Sequence, residues 1–212
     1  MSNVGLFYVG AVLFINGLAL LGRVKGAGAV PLNVFVGFLQ VITPTYLIIS
    51  SGGNQDVIFG ASGLYLFGFT YLYVAMNEVW GFDGTGLGWF SLFVAVAAIG
   101  YAVVNVLRYQ DWAFGVIWLL WAYLWWLFFD LLGRENVAIT AYTGAVAAIE
   151  GWTTAAIPAF LLLTGQWTVL PNPVMAVLIA VVSLAGFVLA KVRLARRPPL
   201  PTAPATSTRE GV

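Results

Sequence analysis

Few groups in this chain can do chemistry in an apolar setting: one carboxyl, a ladder of indoles, one amide and a pair of aromatic rings. Glu150, in Ala147-Ala-Ile-Glu150-Gly-Trp-Thr-Thr, stands deep inside an otherwise unionisable apolar run. A charge at the centre of a bilayer costs at least ~2.5–3.5 kcal/mol, so such a group faces a cavity or a partner. It can hydrogen-bond a solute, carry a proton, or tie helices together. Trp118, Trp121 and Trp125 share one helical face at i, i+3 and i+7. Tryptophans usually gather at the membrane interface, but these climb through the middle of a run. Facing a lumen, they would line a narrow apolar slot with a few N–H donors; facing inward together, they would be core. Leu6, Val9, Leu13 and Asn16 form a second stripe, at i, i+3, i+7 and i+10, and such a stripe is either helix packing or a pore face. Phe69 and Tyr73 line one face of a third run. Asp130 sits near the end of its run and reads as an interfacial anchor.

What is missing narrows the chemistry further. The sequence contains no cysteine and no histidine. That removes haem ligation by His or Cys, iron–sulfur clusters and ordinary zinc sites, a Ser-His-Asp triad and any disulfide framework. No cofactor and no metal site is expected. A net charge of +1 leaves no basic surface for nucleic acid.

The elements that must position these groups are membrane helices. Of 212 residues, 61% are hydrophobic and 8% charged, with a mean hydropathy of +0.95. A soluble exterior needs far more charge than that. A bilayer core about 30 Å thick takes about 20 apolar residues per helix. Seven runs qualify: Val4–Leu21, Pro31–Ser50, Val57–Met76, Gly88–Leu107, Ala113–Leu132, Thr140–Leu163 and Val174–Ala190. Backbone polar groups in lipid must be satisfied internally, so these runs read as helices; the alternation of a barrel strand is absent. Short connections make neighbours antiparallel. Pro44 and Pro158 are expected to kink the second and sixth helices. With the N-terminus outside, Arg23, Lys25, Arg134, Lys191, Arg193, Arg196, Arg197 and Arg209 all fall inside, and Arg108 alone falls outside. The positive-inside rule therefore sets the topology. The first run opens without the positive n-region or cleavage site of a signal peptide. The tail from Pro198 is rich in Pro, Thr and Ala and reads as disordered.

Five stretches resemble the AmiS/UreI family of urea and short-chain amide channels. They are Leu6-Phe-Tyr-Val-Gly10-Ala-Val-Leu-Phe-Ile-Asn16-Gly17, Leu66-Phe-Gly-Phe-Thr-Tyr-Leu-Tyr73-Val-Ala-Met-Asn77, Trp89-Phe-Ser-Leu-Phe-Val-Ala95, Val116-Ile-Trp-Leu-Leu-Trp-Ala-Tyr-Leu-Trp125 and Ala148-Ile-Glu-Gly-Trp-Thr-Thr-Ala-Ala-Ile-Pro158-Ala. The resemblance implies an all-α integral membrane protein of the bacterial inner membrane. It implies a six-helix bundle over 1–167, a homohexameric ring, and one pore in each protomer. It implies that Trp121 and Trp125 form the constriction with Trp118 close by. Phe69 and Tyr73 would be their aromatic partners, Leu6, Val9, Leu13 and Asn16 would line the pore, and Glu150 would be a pore carboxylate. The permeants would be urea or short aliphatic amides, and membrane lipid the surrounding partner.

Two features depart from that pattern. The second outer loop is only Ser51-Gly-Gly-Asn-Gln-Asp56 and no histidine exists, so no histidine-based acid gate is expected and the pore should stand open. An additional helix over 168–191 brings the C-terminus inside, ahead of a basic, disordered cytoplasmic tail over 192–212. The rival reading is a proton-coupled carrier of small amides using Glu150. A retinal-type receptor fits the span count but needs a lysine inside the seventh helix; the lysines, Lys25 and Lys191, lie at the cytoplasmic boundary. A membrane enzyme would need His, Cys or closely paired carboxylates, so none is expected.

Overall fold

Apolar periodicity becomes seven long helices in the computed structural model, which describes residues 2–196. They are α1 (Ser2–Leu20), α2 (Gly26–Ser50), α3 (Gln55–Trp80), α4 (Thr85–Leu107), α5 (Trp112–Gly133), α6 (Val137–Leu163) and α7 (Asn172–Ala195). No strand occurs among the described residues. The expected spans fall inside these helices, apart from Leu21 just past α1; most of the helices run several residues longer, because polar flanks such as Gln55 and Glu78 continue the helix beyond the apolar window. Of the basic tail expected over 192–212, residues 197–212 lie outside the described residues.

Turns are set locally. Asn54 caps α3 by accepting from the Asp56 and Val57 amides at 2.9 and 3.3 Å, and Gly81 ends it in the left-handed region at φ 66°. Asp111 caps α5 through the Phe114 amide at 3.0 Å. At the C-terminal end of α5, Asp130 pairs with Arg134 at 3.1 Å and accepts from Asn136 at 2.9 Å.

Two helices are interrupted. α5 ends in a π turn over Phe129–Gly133. α6 passes from α-helix at Glu150 into a π segment, Gly151–Ala156, and resumes at Ile157 with Pro158 in its first turn. The wide turn accommodates the proline's missing N–H. α2 keeps Pro44 within one continuous helix.

α1 crosses α6 at close range. A Cβ added to Gly10 would lie 2.5 Å from the Gly151 carbonyl oxygen, and one added to Gly17 would lie 2.6 Å from that of Gly144. Glycines seven residues apart on both helices let the backbones touch, the usual means of association where lipid offers no hydrophobic drive. α7 lies on α5 and α6, on the side away from α2 and α3. It buries Met175, Ala176, Ile179 and Phe187, and Ser183 donates to Thr153 of α6 at 2.8 Å. The outward faces of α2 and α4 are strongly apolar, with Phe35 70% and Ile49 79% exposed, as suits contact with lipid or another protomer.

Candidate functional site: an aromatic septum between chambers

The stripes of α1, α3 and α5 converge on the axis of the bundle, with α2 and α4 closing the wall. Three adjoining chambers result. The outer one, about 210 Å³, lies among Ser2, Leu6, Gln40, Asn105, Phe67 and Trp118. The middle one is about 30 Å³ and is bounded by Leu13, Phe67, Tyr71, Trp121 and Trp125. The inner one, about 450 Å³, opens among Gly26, Asn33, Asn77, Glu78 and Leu131. Phe67 and Trp121 belong to the walls of both the outer and the middle chamber. Asn16, Val74, Leu87 and Phe128 are shared by the middle and inner chambers.

The septum is a cluster of rings. The centroid of Phe67 lies 4.7 Å from that of Trp121, edge-on, and 4.7 Å from that of Trp125. Trp118 meets Trp121 edge-on at 4.9 Å and stacks on Tyr101 at 4.4 Å. Such pairs add about 0.5–1.5 kcal/mol each beyond their buried area, so the septum is a firm part of the fold. The indole N–H of Trp121 donates to Thr154 at 2.8 Å, and Thr154 donates to the Glu150 carbonyl at 2.6 Å. The π segment of α6 therefore holds a septum ring from behind. A chamber of 30 Å³ holds one or two waters at most. The lane is narrowest here.

Each chamber also borders a buried polar atom with no partner in the protein. These are both side-chain atoms of Gln40 in the outer chamber, the Tyr71 hydroxyl in the middle one and the Asn77 carbonyl in the inner one. Leaving such a group unsatisfied costs about 1–3 kcal/mol. Asn16 is different: its amide and that of Asn33 exchange reciprocal hydrogen bonds of 2.9 and 2.7 Å.

The structure brings most of the expected residues together. Trp118, Trp121, Trp125, Leu6, Leu13 and Asn16 all border a chamber. Val9 lies on the same stripe but is fully buried between helices and borders none of the three.

Two expectations are corrected. Phe69 is 50% exposed on the outer face, against Tyr65 at 5.6 Å, and the Tyr73 hydroxyl lies beside Gly86 of α4. The α3 rings at the septum are Phe67 and Tyr71, two residues earlier. Two residues on a helix turn through about 200°, which moves a side chain to the opposite face. The overlooked signal was the spacing Gly60, Leu64, Phe67, Tyr71, Val74, Glu78, one helical stripe running the length of α3.

Glu150 is the other correction. It is fully buried, both carboxyl oxygens lack a partner, and it borders none of the three chambers. The chambers are walled by α1 to α5, and α6 packs on α1 and α5. Gln40, Asn33 and Asn77 were not singled out from sequence, since an amide in an apolar run carries no spacing signal of its own.

Seven long apolar helices around a pinched axial lane are the architecture of a membrane transport protein. The AmiS/UreI family transporter model matches residues 1–166, and the chain belongs to that family. It is 60% identical over 190 residues to a Mycolicibacterium smegmatis protein named for transport of amidate substrates, covering 90% of this chain and 88% of that one. It is 32% identical over 199 residues to the acid-activated urea channel of Helicobacter pylori, covering 79% of this chain and all of that one. The cryoEM structure of the Helicobacter pylori urea channel in its closed state superposes with a TM-score of 0.72 at 32% identity, over 79% of this chain and 100% of that chain. The chain is a multi-pass inner-membrane protein.

Proposed function

We propose that this protein is a channel or transporter for urea or amides, and more specifically a passive channel for urea and short aliphatic amides with one lane in each protomer. The observation that carries this is the Phe67 ring held between Trp121 and Trp125, dividing two chambers that each border an unpaired polar group. Urea and acetamide are planar, neutral and small. A flat solute slips between aromatic faces, and an ion does not, because apolar rings cannot replace its hydration shell. Gln40, Tyr71 and Asn77 offer successive hydrogen bonds on the way through. Weak sites in series are what rapid passage needs. The names of the relatives, an amidate-substrates transporter and urea channels, favour the same permeants.

The rival, a proton-coupled carrier using Glu150, is disfavoured because that carboxyl borders none of the three chambers. Stopped-flow uptake of urea, acetamide and glycerol into proteoliposomes tests the choice. Uptake of urea or acetamide down its own gradient, equal with and without a pH gradient, is the expected result. Uptake that appears only with the pH gradient would establish the carrier instead.

The same reading carries a homohexameric ring. Native mass spectrometry of the detergent-solubilised protein should give six copies; a stable monomer would overturn that part. The lane lies within one protomer, so it does not depend on the ring.

A further inference from the structure

Gln40 has a property shared by no other side chain bordering the lane: both halves of its carboxamide are buried and without a partner. The residue is fully buried in the middle of α2, yet it forms part of the outer chamber wall beside Phe67 and Trp118. It reaches that position because two neighbours are glycine. The Gln40 side-chain oxygen occupies the space where a Cβ on Gly5 of α1 would be, and a Cβ on Gly68 of α3 would lie 3.0 Å from the Gln40 backbone. α1 and α3 thus close on α2 at this level and leave the carboxamide directed between them.

We propose that Gln40 is a recognition site for the amide group of the permeant, on the outer side of the aromatic septum; the proposal rests on the amide-channel reading above. The chemistry is self-complementary. A primary carboxamide presents an N–H donor and a carbonyl acceptor side by side, as do acetamide and urea. The two groups can pair through two parallel hydrogen bonds, satisfying both orphan atoms of Gln40 at once. Glycerol and water lack that paired arrangement. An amide whose nitrogen carries no hydrogen, such as N,N-dimethylacetamide, can satisfy only the donor half. The site selects before the rings do: the solute is matched on its polar edge at Gln40, and on its thickness at Phe67.

The test compares wild type with Gln40→Met, nearly isosteric and apolar, and Gln40→Leu, shorter and apolar; neither can donate to or accept from an amide. Proteoliposomes are assayed for acetamide, urea, N,N-dimethylacetamide and water permeability. Wild type should conduct acetamide well above N,N-dimethylacetamide. Both variants should lose about tenfold in acetamide permeability, the effect of one or two lost hydrogen bonds, while water permeability moves less than twofold. An unchanged acetamide-to-water ratio in either variant overturns the proposal and leaves the channel reading intact. A wild type that conducts neither amide nor urea sinks the channel reading itself. Should both variants fail to insert, Gly5→Ala serves instead. Its methyl displaces the Gln40 oxygen without touching the septum, and the same selective loss is expected, an unchanged ratio again counting against the site.

Discussion

Side chains divide here into those that meet the lane and those that hold them there. Phe67 and Phe69 are two residues apart on one helix, and only Phe67 reaches the tryptophans. Phe67→Ala should open the septum, raising water passage and admitting amides bulkier than acetamide, whereas Phe69→Ala should leave flux within twofold of wild type. Stopped-flow light scattering on both variants checks this; a larger effect from Phe69 would put the lane on the wrong face of α3. Thr154 is a holding residue, since it accepts the Trp121 indole N–H at 2.8 Å. Thr154→Val leaves that donor buried and unpaired, a loss of about 1–3 kcal/mol. A lower Tm and a weakened size cut-off are expected, with Thr154→Ser restoring both.

Among the elements, α6 is the one whose job is least visible from its composition. It borders none of the chambers, yet its glycines admit α1 and its π segment positions Trp121. α1 carries one wall of all three chambers, through Leu6, Leu13 and Asn16. Whatever separates α1 from α6 must therefore deform the lane. Gly17→Leu inserts a branched side chain where a Cβ would already lie 2.6 Å from a backbone oxygen. Overpacking of a close contact costs about 1–3 kcal/mol or more. The variant should express poorly or melt well below wild type in detergent, as read by fluorescence-detection size exclusion; the same change at the exposed Gly100 should be tolerated. α7 buttresses α5 and α6, joined through Ser183 to Thr153 and through Asn172 to the Asp111 cap at 2.9 Å.

Outside its membrane-spanning segments, the molecule has little with which to sense pH between 5 and 8. It has no histidine. At the outer mouth, Tyr109 donates to Asp56 at 2.8 Å, and that bond pushes the phenol above its ordinary range, so it stays a donor throughout. At the inner loop, hydrogen bonds from Thr85 hold the Asp83 carboxyl below its ordinary value. A depressed carboxyl keeps its contribution above the unfolded pKa and loses it only as pH falls through the lower folded value, outside this window. Urea flux should therefore be flat from pH 5 to 8 with equal pH on both sides. A steep rise on acidification would show a gate built from other groups.

Much of this was legible from residue order alone. Apolar length gave the seven spans, because a bilayer has one thickness and helices one rise. Charge set the topology, because moving Lys and Arg across lipid is costly. The Trp118, Trp121, Trp125 stripe was readable because three of that span's four indoles recur at i, i+3 and i+7. The facing register was not. Phe67 or Phe69, and Tyr71 or Tyr73, satisfy the same local pattern, and only the rotation of α3 against α5 chooses between them. Glu150 read as a pore group because depth in the membrane is encoded along the chain, whereas which cavity a side chain borders is not. Gln40 became visible only when three helices closed around it, since an amide is orphaned by its neighbours in space and not by its neighbours in sequence.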